Sequence, residues 1–249
     1  MPLWQKVYRS CLPVRSLGAE EGNGRILAIH KNTRINASIF FLLALPSLLC
    51  YTTSMTPLES LLQFVRFTHL THKVERVARI PGETRYANTV EHSYQLTLLA
   101  WYLIEKENLH LDKDLVIKYA LVHDLVETYA GDTYAHGTEG KENKALREHE
   151  AQERMASEFP EFKDLHAYIE AYELKQDPES RFVYALDKLI DPVNIYLEDG
   201  KLWHEKNVTL QEVLDYKTEK IAVDATVAKY FEELVVLLRK KENTLFPKN

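Results

Sequence analysis

From Thr56 onward, apolar residues recur every three or four positions, the spacing that gathers them on one face of an α-helix. The pattern predicts a helix over "PLESLLQFVRFTHLTHKVERV", a loop over "IPGETRYAN", and a second helix over "TVEHSYQLTLLAWYLIEKE". A third long helix is expected over "DKDLVIKYALVHDLVETYA". A charged amphipathic helix follows in "KENKALREHEAQERMASEF", then another in "FKDLHAYIEAYEL". "DPESRFVYALDKLIDPVNIYLEDG" reads as one helix, and "TLQEVLDYKTEKIAVDATVAKYFEELVVLLRKK" as one or two more. Start signals agree with the spacing. Thr56 stands ahead of Pro57 and Glu59, Asp177 ahead of Pro178, and Thr209 three residues ahead of Glu212. No run alternates like a strand, and no repeat is visible. The expected fold class is all-α, a single helical bundle over residues 55–249.

Residues 1–54 differ in character. The run "ASIFFLLALPSLLCY" is short for a membrane span, which takes roughly 20 residues, and Pro46 interrupts it. Three readings compete. The segment is an accessory extension with Met55 as the natural start, or a membrane anchor through residues 37–51, or a signal peptide with a long lead-in. The crisp helix start just after Met55 favours the first.

Charge sharpens the division. Lys6, Arg9, Arg15, Arg25, Lys31 and Arg34 outnumber Glu20 and Glu21, so residues 1–54 carry +4 of a chain total of -6, leaving -10 for the rest. No dense basic block occurs, so a nucleic-acid polymer is not an expected partner. Cys11 and Cys50 form no CxxC pair, which fits a reducing compartment, and a cytoplasmic location is expected.

The candidate chemistry sits in "ALVHDLVETYAGDT", residues 120–133. On a continuous helix, Val116, Ala120, His123 and Glu127 share a stripe beside the apolar one, with Asp124 at its flank. Unpaired carboxylates there would cost several kcal/mol, so a cationic partner is expected. A divalent metal is the simplest, because imidazole and carboxylate suit ions such as Mn, Fe, Co, Ni or Zn. More ligands must come from other helices. His92 in "TVEHSYQL" and Asp187 in "YALDKLIDP" are the candidates, each on a largely apolar helix. Asp191 competes with Asp187, but it precedes Pro192, where a polar turn residue is expected. Taken one at a time these residues have bland readings, and only their combination points to a metal site. Trp203 reads as packing.

The order of "VEHS", "HDLVETYAGD" and "ALDKL" resembles the HD-domain metal-dependent phosphohydrolases, most of all the subgroup of bacterial 5'-deoxynucleotidase and its eukaryotic relatives. The resemblance implies metal ligands at His92, His123, Asp124 and Asp187, holding a divalent ion of the kinds named or Mg. It implies a catalytic role for Glu127 and a substrate contact at Asp132. It also implies a phosphate-binding arginine ahead of His92, for which Arg79 is preferred to Arg85, and a lysine after "GD", which Lys141 or Lys144 could supply. The implied activity is removal of the 5'-phosphate from deoxynucleoside monophosphates by a homodimeric enzyme. The alternatives are action on dNTPs, cyclic nucleotides or another small phosphate ester, or a metal-stabilised regulatory module without turnover.

Overall fold

The computed structural model describes residues 55–131 and 143–247. The expected extension at residues 1–54, with its apolar run, lies outside them, as do Asp132 and Lys141. Among the described residues, no helix is long and apolar enough to cross a membrane.

The first helix, α1, runs Pro57–Thr71 and begins as its sequence requires. Thr56 accepts from the Glu59 backbone N–H while the Glu59 carboxylate accepts from the Thr56 N–H. The predicted helix overruns its real end by about two turns. Instead of continuing to Val77, the chain forms strand β1, Glu75–Arg79, which pairs antiparallel with β2, Tyr86–Asn88. Glu75 lies opposite Asn88 and Arg79 opposite Tyr86, with an irregular register between. Such irregularities re-aim side chains. The strands are too short and too charged to announce themselves by alternation. Asn88 then caps α2, Thr89–Glu107, through a second reciprocal box with Glu91.

The expected third helix is divided. Helix α3, Lys113–Val122, gives way to tight turns, and α4 covers only Glu127–Ala130. The N–H groups of Leu125, Glu127 and Thr128 donate three residues back, to Val122, Asp124 and Leu125. This 3₁₀-like winding begins just after His123, whose own N–H still donates four residues back to Tyr119. Helices α5, Lys144–Glu158, and α6, Lys163–Leu174, follow, then α7, Pro178–Leu197. Helices α8, Lys201–Lys206, α9, Leu210–Ile221, α10, Ala225–Lys240, and α11, Glu242–Leu245, complete the order. The cap at Thr209–Glu212 is as read from sequence.

Helix α7 is the axis of the fold. It packs against α2, α3, α6, α8, α9 and α10, and against β1. Twelve of its 20 residues are buried, among them Ser180, Ala185, Asp187, Pro192 and Ile195 as well as Phe182 and Leu186, so nearly every face is covered. A second apolar cluster joins Phe67 of α1, Val122 and Val126 near the break, and Met155 and Phe159 of α5 and its end. The polar window of residues 123–127 lies between the two cores, where the helix breaks.

Candidate metal centre

Three elements converge on one point. Helix α2 supplies His92, the turn after α3 supplies His123 and Asp124, and α7 supplies Asp187. One ligand atom from each lies within 4.8 Å of every other. His92, His123 and Asp187 are buried and Asp124 nearly so. His123 Nε2 is 2.9 Å from Asp124 Oδ2, and His92 Nε2 is 3.0 Å from Asp187 Oδ1. His92 is 3.8 Å from Asp124 Oδ2, and His123 is 3.9 Å from Asp187 Oδ1.

The orientation of His123 tests whether this set suits a metal. Its Nδ1 lies 2.9 Å from the Ala120 carbonyl oxygen, so Nδ1 carries the proton and donates. Nε2 is left with its lone pair toward the cluster, and it is buried without a hydrogen bond in proper geometry. Fixing one ring nitrogen by a carbonyl is how ligating histidines are held in the right tautomer. Two imidazoles and two carboxylates, dry and facing one another, fit a divalent ion.

The electrostatics agree. Burial lowers the pKa of His92, and Arg76 lowers it further, which keeps the ring neutral and able to ligate. Burial opposes charge on Asp124, but His123 and Arg76 hold its carboxyl well below the usual range. Asp187 is held low in the same sense, by Lys188 and the His92 hydrogen bond against the cost of burial. Burial also opposes charge on His123, yet adjacent Asp124 raises its pKa. A cation among these ligands would reverse that last effect.

Arg76 of β1 packs directly against the cluster. Its Nη1 donates to Asp124 Oδ2 at 2.5 Å and stands 4.0 Å from Glu127 Oε2. Its Nη2 is 3.9 Å from Asp191 Oδ2. A cavity of about 120 Å³ opens beside these groups, with a polar end at Arg76, Asp124, Glu127, Asp187 and Lys188. Its apolar wall includes Val77, Ile195, Leu202, Trp203 and Val213. Trp203 does pack, as expected, stacking on Phe246 with ring centroids 4.4 Å apart, and it lines the cavity as well. The sequence profile of the HD domain matches residues 71–228.

The chain belongs to the HD domain family.

This HD domain is similar to the proteins named 5'-deoxynucleotidase HDDC2 of Bos taurus and Mus musculus. The identities are 35% and 34% over 100 residues, covering 39% of this chain and 47% and 49% of theirs. The chain thus spans about half the length of these curated relatives. Its fold is similar to the crystal structure of a predicted metal-dependent phosphohydrolase from Magnetospirillum magnetotacticum MS-1. The TM-score is 0.67 at 25% identity, over 78% of this chain and all of that one.

The arginines expected to bind phosphate turn elsewhere. Arg79 pairs with Glu205 at 2.6 Å and lies over the Tyr86 ring. Arg85 is exposed and pairs with Glu83 and Glu91. Arg76 of β1 instead faces the cluster, through Asp124 and Asp191. Asp191 is also displaced from its expected role. It lies within α7 rather than in a turn, because the helix continues through Pro192. Lys188 donates to Asp187 at 2.5 Å, and Lys217 of α9 faces Asp191 at 3.7 Å. Lys217 is legible in hindsight, since Val213 and Ile221, four residues to either side, are buried too.

Proposed function

We propose that the protein is a metal-dependent phosphohydrolase that removes the 5'-phosphate from deoxynucleoside monophosphates. The observation that carries this reading is the four-residue N/O cluster with Arg76 set against it at the polar end of a cavity. The relatives named 5'-deoxynucleotidase support the substrate class. Charge supports a monophosphate. Asp124, Glu127, Asp187 and Asp191 line the cavity against Arg76, Lys144, Lys188 and Lys217. The two sets balance, a divalent ion adds two positive charges, and a phosphomonoester dianion offsets them.

His92, His123, Asp124 and Asp187 would hold the ion, which when bound supplies Lewis acidity toward a phosphoryl oxygen and activates water. Glu127 orients the attacking water and takes its proton, or gives one to the departing 5'-oxygen. Arg76 draws charge from the phosphoryl oxygens while keeping Asp124 in place.

A panel of phosphate esters tests the reading, using purified protein loaded with each candidate ion in turn. Inorganic phosphate released from deoxynucleoside monophosphates is the expected result. Release of triphosphate from dNTPs, with monophosphates untouched, would replace it. No turnover of any ester would favour a regulatory module.

A second expectation concerns the arginine. Arg76→Met should lower kcat/KM by roughly 100-fold or more while bound metal, measured by elemental analysis, is retained. Arg76→Lys should recover only part, because an ammonium cannot span Asp124 and a phosphoryl oxygen as a guanidinium fork does. Activity of Arg76→Met within threefold of the wild type would remove Arg76 from the site.

A further inference from the structure

Lys217 enters the cavity from α9, outside every stretch that carries a motif. Its side chain is 6% exposed, and burying an ammonium is costly unless a partner is close. The counter-ion is Asp191, yet Lys217 Nζ stands 3.7 Å from Asp191 Oδ2. Arg76 Nη2 stands 3.9 Å from that same oxygen. Both separations exceed hydrogen-bond length. The contrast with the neighbours is sharp. Arg76 Nη1 closes on Asp124 and Lys188 closes on Asp187, each at 2.5 Å. The metal end of the cavity is therefore tightly paired, and the Asp191–Lys217 end is held open.

The chemistry of that gap selects its occupant. A carboxylate can only accept, and an ammonium can only donate. A phosphate dianion would satisfy Lys217 and be repelled by Asp191. A hydroxyl satisfies both, because it donates one hydrogen bond and accepts others. The position suits a sugar. Asp191 follows Asp187 by about one turn of α7, about 6 Å along the axis, a span that a pentose bridges between its 5'-phosphate and its ring hydroxyl. Arg76 links the two ends, touching Asp124 with one nitrogen and facing Asp191 with the other. The apolar wall of Ile195, Trp203 and Val213 lines the same cavity and suits a base.

We propose that Asp191 and Lys217 form a hydroxyl-recognition site for the sugar of the substrate, the 3'-hydroxyl in a 2'-deoxynucleotide. This rests on the nucleotide reading given above. Asp191 accepts the hydroxyl proton, and Lys217 donates to the hydroxyl oxygen. Both are specificity residues rather than part of phosphate chemistry.

The test compares 2'-deoxynucleoside with 2',3'-dideoxynucleoside 5'-monophosphates on the metal-loaded full chain. The wild type should prefer the 3'-hydroxyl substrate by about tenfold or more in kcat/KM, since a site left with unpaired polar groups rejects the analogue. Asp191→Asn and Lys217→Met should each bring that ratio below about threefold, and exposed Lys229→Met should leave it unchanged. A merely structural role would lower both substrates together and preserve the ratio. Calorimetric binding of 2'-deoxy- and 2',3'-dideoxynucleosides, which need no turnover, gives a second readout. A tenfold preference that both variants lose upholds the site, even if no ester is hydrolysed and the phosphohydrolase reading falls. A wild type that does not discriminate in either assay, or folded variants that keep the preference, overturns the site whatever the activity.

Discussion

Asp187→Ala is expected to abolish both metal retention and phosphate release. The carboxylate is buried on α7, 3.0 Å from His92, and holds Lys188 at 2.5 Å. Removing it takes one of four ligand groups and leaves Lys188 without that partner. Catalysis should fall by roughly three orders of magnitude or more, because the ion and the charges it organises are lost together. Asp187→Asn, which keeps the volume but not the charge, should lose nearly as much. Elemental analysis after gel filtration, paired with a phosphate-release assay, checks both halves. A variant with wild-type metal content and activity within tenfold would show that the cluster is not the metal site. Circular dichroism separates this outcome from unfolding.

Gly200→Ala should be the most damaging single methyl group in the domain. Gly200 joins α7 to α8 with φ +74°, a conformation that side chains rarely adopt. A Cβ there would meet the Leu245 carbonyl oxygen at 2.1 Å, and that oxygen belongs to backbone. No rotamer change relieves such a contact, so α8 and α11 must separate. The strain and the lost packing are expected to cost about 3 kcal/mol or more, lowering the melting temperature by roughly 6–12 °C. The effect should reach the site, since α8 carries Trp203, which stacks on Phe246 just beyond α11. Thermal unfolding measures it. A shift under about 2 °C would mean that the α8–α11 contact yields easily.

The two experiments probe different things. The metal ligands are held by three separate elements, so their geometry is a property of the whole bundle. Gly200 governs one junction, and through it only the apolar wall of the cavity. If Gly200→Ala lowers stability and weakens nucleotide binding while metal content stays intact, the cavity wall and the metal centre are separable parts.

Most of the helical architecture was readable along the chain, because helices are specified locally. Thr56 with Glu59 and Thr209 with Glu212 satisfy orphan backbone groups reciprocally, Asp177 accepts from the Ser180 N–H, and each start follows from a few adjacent residues. The four ligand candidates were readable for a related reason. A histidine or aspartate on an apolar helix is costly without a partner, so His92, His123, Asp124 and Asp187 stood out against their neighbours. Asp132 and Lys141, proposed on the resemblance alone, lie outside the described residues.

What the tertiary structure decided was everything that depends on a distant partner. The β1–β2 hairpin exists because packing against α7 supports strands too short to signal themselves. The break after Val122 arises where the chain passes between two apolar cores, and no residue there is a helix breaker. Arg76 faces the cluster because β1 packs on α7 and beside Asp124, while Arg79 and Arg85 pair with Glu205, Glu83 and Glu91. Asp191 and Lys217 lie 26 positions apart, and they meet because α9 packs on α7. Local energetics thus determined the elements and the presence of a cation-seeking cluster. Long-range packing determined which charges surround it, because a buried ion pair is chosen by proximity and not by order along the chain.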